Sequence, residues 1–294
     1  MNLSANIRSS LFMLLSMLGF VVNDTFIKSL NGEIPAAQVI MIRGLFLTAF
    51  IVVIAWQRGL LRQWRTVLHV RVIFRAMCEG GATYAFLSAL PLLPFANLTA
   101  ILQCLPLAVT FGAALFLGEA VGWRRWAAIA IGFCGVLIIV RPGMSEFHIA
   151  SVMVLVSVVF AAARDLITRQ LPKALPSLLV TGMSAVFVSV LGMSVTLVSG
   201  EWHPVTSGQF SVIVFAGFFL FFGYHFIVLS MRQGEIAYVV PYRYTSLLWA
   251  ILFGYLVFDE VPDKLTLIGS AIVVSMGLYS MYREVMVSRR SHRA

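Results

Sequence analysis

Apolar stretches long enough to cross a bilayer follow one another along almost the whole chain. They fall at about residues 7–30, 35–56, 72–90, 94–117, 123–140, 148–171, 177–199, 208–231, 236–258 and 264–282. About 20 apolar helical residues span a hydrocarbon core. Helices are also one of the few structures that satisfy their own backbone amides there. Ten such stretches leave only short connections, so a separate soluble catalytic domain does not fit in 294 residues. Only 11% of the residues are charged, against 60% apolar; soluble domains carry about 25% charged residues. The expected fold class is all-α integral membrane protein with ten transmembrane helices. Arg8 and the apolar run that ends at Val22 imitate a signal peptide. No small-residue cleavage site follows promptly, so the run reads as an uncleaved first span.

A net charge of +9 would suggest nucleic acid in a soluble protein. Here its distribution suggests orientation instead. With the N-terminus in the cytoplasm, fifteen Arg and Lys residues fall inside, three (Lys28, Arg141, Lys264) outside and three (Arg43, Arg164, Arg243) within spans. That is a strong positive-inside bias. It predicts an even span count, both termini in the cytoplasm and no nucleic-acid partner. Cys78, Cys104 and Cys134 all lie in apolar segments and form neither a disulfide framework nor a metal spacing.

The chain also repeats. Residues 111–119 read FGAALFLGE and residues 252–260 read LFGYLVFDE, each an apolar helix ending in an acid. Glu119 and Glu260 are 141 residues apart, and Gly135 and Gly277 in the following spans are 142 apart. The offset is close to half the chain. It predicts two five-helix repeats, residues 1–143 and 144–294. Five is odd, so the second repeat enters the membrane from the opposite side. Inverted repeats place a substrate site near the midplane and permit alternating access.

On these features the sequence resembles the drug/metabolite transporter superfamily, specifically its EamA-type ten-span carriers. The likeness rests on the span count, the doubled ending around Glu119 and Glu260, Pro106 in the fourth span and Arg43 in IMIRGLFLTAF. It covers nearly the whole chain. The second half has Leu247 where Pro106 stands, with Pro241 one to two turns earlier. The resemblance implies a secondary carrier of the bacterial inner membrane, acting as a monomer or weak oligomer on a small-molecule substrate. Among such carriers are exporters of aromatic and other amino acids, and importers of riboflavin or S-adenosylmethionine.

A charge within lipid costs about 2.5–3.5 kcal/mol on insertion scales, so ionisable residues inside spans are candidates for function. The stretch VVPYRYTSLLWA at 239–250 contains Arg243 flanked by Tyr242 and Tyr244. Arg243 either snorkels to the cytoplasmic surface or grips a substrate carboxylate. Glu79, in MCEGGATYAF, is either a partner for Arg75 or a site for a substrate ammonium or proton. Tyr84 lines the cavity or anchors at the interface, and Gln103, three residues before Pro106, lines the cavity or joins helices. His225 in FLFFGYHF is a core histidine or a proton-linked switch. Asn23 and Asp24 form an outer gate, or Asp24 pairs with Lys28 one turn on. Arg164 and Asp165 are adjacent, so they point about 100° apart and are expected not to pair. Glu119 and Glu260 are expected to cap the helix that follows each of them.

No phosphate loop, HExxH or GxSxG occurs. Neither a catalytic residue, a metal nor a cofactor is assigned, and an enzyme is not expected. The sequence-based reading is a secondary transporter of small zwitterionic metabolites, amino acids first, and an exporter. The alternatives are a riboflavin or S-adenosylmethionine importer, and, from another class, an ion channel or intramembrane enzyme.

Overall fold

A computed structural model of the chain describes residues 3–119, 121–143, 147–172, 174–233 and 239–291. The described residues form helices α1 (Leu3–Lys28), α2 (Ala36–Gln57), α3 (Val70–Ala89), α4 (Phe95–Leu102), α5 (Leu105–Phe116), α6 (Trp123–Val140), α7 (Ile149–Arg169), α8 (Ser177–Ser199), α9 (Ser207–Gln233), α10 (Thr245–Phe258) and α11 (Lys264–Ser291). Short 3₁₀ segments occur at Leu60–Leu68 and Val240–Tyr244. Eight of the described segments are long and apolar enough to cross a membrane. Helix α3, with Arg71, Arg75 and Glu79, is not among them, nor is the divided stretch Val240–Phe258. The expected start of the ninth span at 236 and the expected repeat boundary at 144 fall in residues 234–238 and 144–146, which lie outside the described residues.

The expected fourth span is interrupted. Helix α4 ends at Leu102, a turn covers Gln103 and Cys104, and α5 begins at Leu105. Pro106 explains the break: it has no N–H for the α4 ladder, but its fixed φ suits the first turn of a new helix. Pro241 likewise occupies the first turn of the 3₁₀ segment before α10.

The doubled sequence ending is a doubled helix ending. Gly118 (φ 66°) closes α5 and Asp259 (φ 54°) closes α10, both in the left-handed region. The next residue then reaches back, Glu119 N–H to Ala113 O at 3.2 Å and Glu260 N–H to Gly254 O at 2.9 Å. Both bonds span six residues, a wider left-handed turn that gives a partner to a carbonyl near the helix end.

The chain divides into two compact units, each drawn from both halves of the sequence. One unit comprises Phe26–Leu92 and Met153–Phe218. In it α2 runs antiparallel to α8, and glycines let the backbones approach. A Cβ on Gly192 would stand 2.7 Å from Ala37 O and Met41 N, and one on Gly182 3.1 Å from Ile51. Thr48 and Ser189, 141 residues apart, meet hydroxyl to hydroxyl at 3.4 Å. Helix α7 crosses α3, with Ser157 donating to Ala82 O at 2.8 Å and the Phe160 ring lying over Gly81. The 3₁₀ segment 60–68 is fastened by Val67, Leu60 and Leu61 packed with Ala55, Val72, Leu179 and Val180.

The other unit comprises Met1–Thr25, Leu93–Val152 and Phe219–Ala294. Here α6 and α11 run antiparallel, with Gly135 against Gly269 and Ile272, and Gly269 against Ile139. Gly277, the sequence counterpart of Gly135, does not share that role: it makes room for the Tyr244 ring. Helix α1 crosses α9, with Ser16 donating to Gly223 O at 2.8 Å and the Phe20 ring over Gly223. Helices α4 and α10 are also antiparallel, Phe95 meeting Phe258 edge to face at 6.1 Å.

One expectation about capping is corrected by this packing. Glu260 does cap a helix, accepting from the Phe95 N–H at 2.6 Å, but that helix is α4, 165 residues away. The helix that follows Glu260 is capped by Asp263, which accepts from the Thr266 N–H at 2.9 Å. The left-handed turn at Asp259 reverses the chain, so Glu260 faces the start of the antiparallel neighbour rather than the helix ahead.

Candidate functional site

The sequence-predicted residues fall into two groups, one in each unit. The first surrounds the two helix breaks. Gln103 ends α4 and is buried. Its Nε2 donates to Tyr244 O at 3.1 Å and to Ser246 Oγ at 3.1 Å. A broken helix leaves carbonyls without partners, and the amide of one break satisfies a carbonyl at the other. Gln103 and Tyr244 are again 141 residues apart. The Tyr244 side chain is buried against Gly277, and its hydroxyl has no hydrogen-bond partner among the described residues. Tyr242 is exposed and Arg243 half-buried. Their carbonyls accept from Thr245 and Ser246 hydroxyls at 2.6 and 3.0 Å, which knits the turn into the start of α10. Asn23 is buried and donates to Asp24 Oδ1 at 2.8 Å.

His225 is exposed on α9, its ring stacked on Phe221 at 6.2 Å and edge-on to Phe226 at 5.7 Å. It is therefore not a core histidine. Tyr84, which stands 141 residues before it, is also exposed.

The second group is ionic. Glu79 on α3 faces Arg164 on α7, with Oε1 3.0 Å from Nη1, and Arg75 on its own helix, 3.7 Å from Oε2. Arg75 continues to Thr168 Oγ1 at 3.0 Å and to the Ser184 hydroxyl on α8. Arg164 also binds Asp165 Oδ1 at 2.9 Å, which corrects the expectation that these neighbours do not pair. The 100° rule fixes Cβ directions, but a guanidinium on a long stem can fold back over the next residue. The side chains of Glu79, Arg75 and Arg164 are 13%, 14% and 19% exposed, so water reaches them only partly. Arg164 and Ser184 were missed as members of one group; their signal in the sequence was a polar residue in an otherwise apolar helix.

A further ion pair joins Arg141, at the end of α6, to Asp263 before α11. Burial alone would raise the Asp263 pKa. Hydrogen bonds from the Thr266 N–H and Arg141, the Arg141 charge and the Thr266 hydroxyl outweigh burial and hold it below the usual carboxylate value.

Residues 7–141 and 148–282 each match the model of the EamA-like transporter family. The chain is 23% identical over 283 residues to an S-adenosylmethionine uptake transporter of Rickettsia conorii, covering 96% of this chain and 95% of that one. It is 26% identical to a riboflavin transporter of Vibrio cholerae over 97% of this chain and 96% of that one. It is also 26% identical to the pseudopaline exporter CntI of Pseudomonas aeruginosa, over 90% and 92%. A crystal structure of a protein 18% identical to this chain aligns with a TM-score of 0.63, covering 95% of this chain and 97% of that one, and shares the fold.

Proposed function

The chain belongs to the EamA-like transporter family of the drug/metabolite transporter superfamily, and on that premise we propose that it is a secondary active carrier of small zwitterionic metabolites. It has ten spans in two inverted five-helix repeats, residues 1–143 and 144–294, and works by alternating access. It sits in the bacterial inner membrane as a monomer or weak oligomer, both termini cytoplasmic, as the distribution of arginines supports.

The observation that carries this reading is the family match, made once in each half of the chain. Packing supports the inversion. Helices α2 and α8, α4 and α10, and α6 and α11 are antiparallel pairs whose members occupy equivalent places in the two halves. In two of these pairs residues 141 apart touch each other. A two-fold axis in the membrane plane brings a residue to its own equivalent in this way.

The first cargo class is amino acids, aromatic ones included, moved outward. Arg243 with Tyr242 supplies a guanidinium and a ring beside the α10 start. A second reading, import of S-adenosylmethionine or riboflavin, is favoured by relatives so named that align over nearly the full chain. The test is flux in proteoliposomes of labelled phenylalanine, threonine and methionine beside S-adenosylmethionine and riboflavin. Amino-acid flux above empty liposomes is expected; flux of riboflavin alone would overturn the first reading.

A further inference from the structure

The α7–α3 crossing and the α1–α9 crossing are one joint built twice. Ser157 donates to Ala82 O at 2.8 Å, and Ser16 donates to Gly223 O at 2.8 Å. The two serines are 141 residues apart, as are the two acceptors. Each joint also seats a phenylalanine ring on a glycine, Phe160 on Gly81 and Phe20 on Gly223.

On this shared frame the charges differ. Where the α7–α3 joint has Arg75, Glu79 and Arg164, the same offset leads to Ala216, Leu220 and Asn23. Asp165 and Asp24 correspond, and Arg43 stands where the other half has Ser184. The joint is therefore an internal control. The serine–carbonyl bond and the ring-on-glycine contact form with or without Arg75, Glu79 and Arg164, so those three are not needed to make the helices cross. Charges within a span are costly, and a buried ion pair is weak evidence of stabilisation. Something other than packing must account for them.

We propose that Glu79 and Arg164, with Arg75, bind the ammonium–carboxylate head of zwitterionic cargo by exchanging their internal ion pair for two pairs with the cargo. The proposal rests on the carrier reading above and names the site within it. The cargo ammonium takes the place of the guanidiniums on Glu79. The cargo carboxylate takes the place of Glu79 on Arg164, where a guanidinium offers two parallel N–H donors. The ammonium–carboxylate head is neutral as a whole, so the exchange leaves the total charge at the site unchanged. The weaker contact, 3.7 Å to Arg75, is the one that opens at least cost. In the empty carrier the same groups pair with one another, so no charge is stranded in a low-dielectric interior. A molecule with only one of the two poles would strand its opposite number, and is rejected on that ground. The site reads the head group alone, so it accepts amino acids of several side chains, and S-adenosylmethionine with them, but not riboflavin.

The test transplants the α1–α9 residues at these three positions into the α7–α3 joint. The triple variant Arg75→Ala, Glu79→Leu, Arg164→Asn carries the residues of the α1–α9 side. Purified wild type should melt at higher temperature with phenylalanine, threonine, methionine or S-adenosylmethionine. It should not respond to N-acetylphenylalanine or phenylalanine methyl ester. The triple variant should elute as a single folded species and lose the response, with zwitterion flux down at least tenfold. Glu79→Gln, which keeps the shape and loses one pole, should show the same loss. A triple variant that cannot fold makes the charges structural and overturns the proposal. One that folds and moves zwitterions like wild type overturns the site and leaves the carrier reading intact. If wild type moves riboflavin and no zwitterion, the cargo reading fails first and the site with it.

Discussion

At the α1–α9 crossing the buried hydroxyl of Ser16 meets Gly223 O in apolar and aromatic surroundings, with Phe12 against Phe226 and Phe20 against Tyr224. At the α7–α3 crossing the equivalent hydroxyl of Ser157 meets Ala82 O two turns from Arg164, which is paired with Glu79. The pair teaches that backbone approach and side-chain charge are separable in this fold. Small residues and one hydroxyl set the crossing, and Arg75, Glu79 and Arg164 are added at one joint only.

The largest expected effect comes from breaking the charged joint unevenly. Glu79→Ala takes the acid from Arg75 and leaves Arg164 with Asp165 alone, which should cost about 2 kcal/mol, below the range for a fully buried pair because these side chains are partly exposed. The triple variant should lose less, because the charge it leaves behind, Asp165, has a side chain 30% exposed to solvent. Thermal denaturation in one detergent compares them; a triple variant less stable than Glu79→Ala would show that the two joints are not equivalent.

The second comparison lies at the starts of α6 and α11, where the same offset again pairs an uncharged position with a charged one. Gly122 precedes α6 with no side-chain cap, whereas Asp263 caps α11 and pairs with Arg141. Asp263→Ala should cost about 1 kcal/mol, chiefly as a lost cap, and Gly122→Ala much less. The pH dependence follows from the lowered folded pKa of Asp263. Its contribution is present above the unfolded carboxylate value and is lost as the pH falls through the folded one. The Asp263 side chain is 49% exposed, so solvent screens the pair and the acid loss is smaller than the cap loss. Melting curves of wild type and Asp263→Ala should converge at low pH; a constant gap would refute the ionised cap.

The smallest effect sharpens the likeness. Ser16→Ala and Ser157→Ala each remove one hydroxyl-to-carbonyl bond of 2.8 Å. Each should cost about 0.6 kcal/mol, the average for such bonds between membrane helices. Equal losses support one joint used twice, and losses that differ by 1 kcal/mol or more break the comparison.

Much of this was legible in the residues. FGAALFLGE and LFGYLVFDE announce equal helix ends, because the turn that follows is a local motif with its own backbone chemistry. Pro106 marks the break between α4 and α5 for the same local reason. NDTFIK at 23–28 against RDLITR at 164–169 carries the offset too, and it was legible but less evident, since only the aspartate is identical and the last position keeps only its charge. The pairing of Arg164 with both Asp165 and Glu79 was not legible. Helical spacing gives directions along one helix, and says nothing about which helix lies opposite or how a long side chain folds.

The sequence by itself determined that this chain is helical in a bilayer and is built twice. Apolar run length follows from bilayer thickness, and helix ends follow from local turn chemistry. Only the tertiary structure decided that Glu260 caps α4, that Gln103 joins the two helix breaks, and that Glu79 lies between two arginines. Those contacts join residues up to 165 positions apart, apart from the Glu79–Arg75 turn. Their partners are set by which antiparallel helices the small residues allow to touch, a choice that local spacing does not encode.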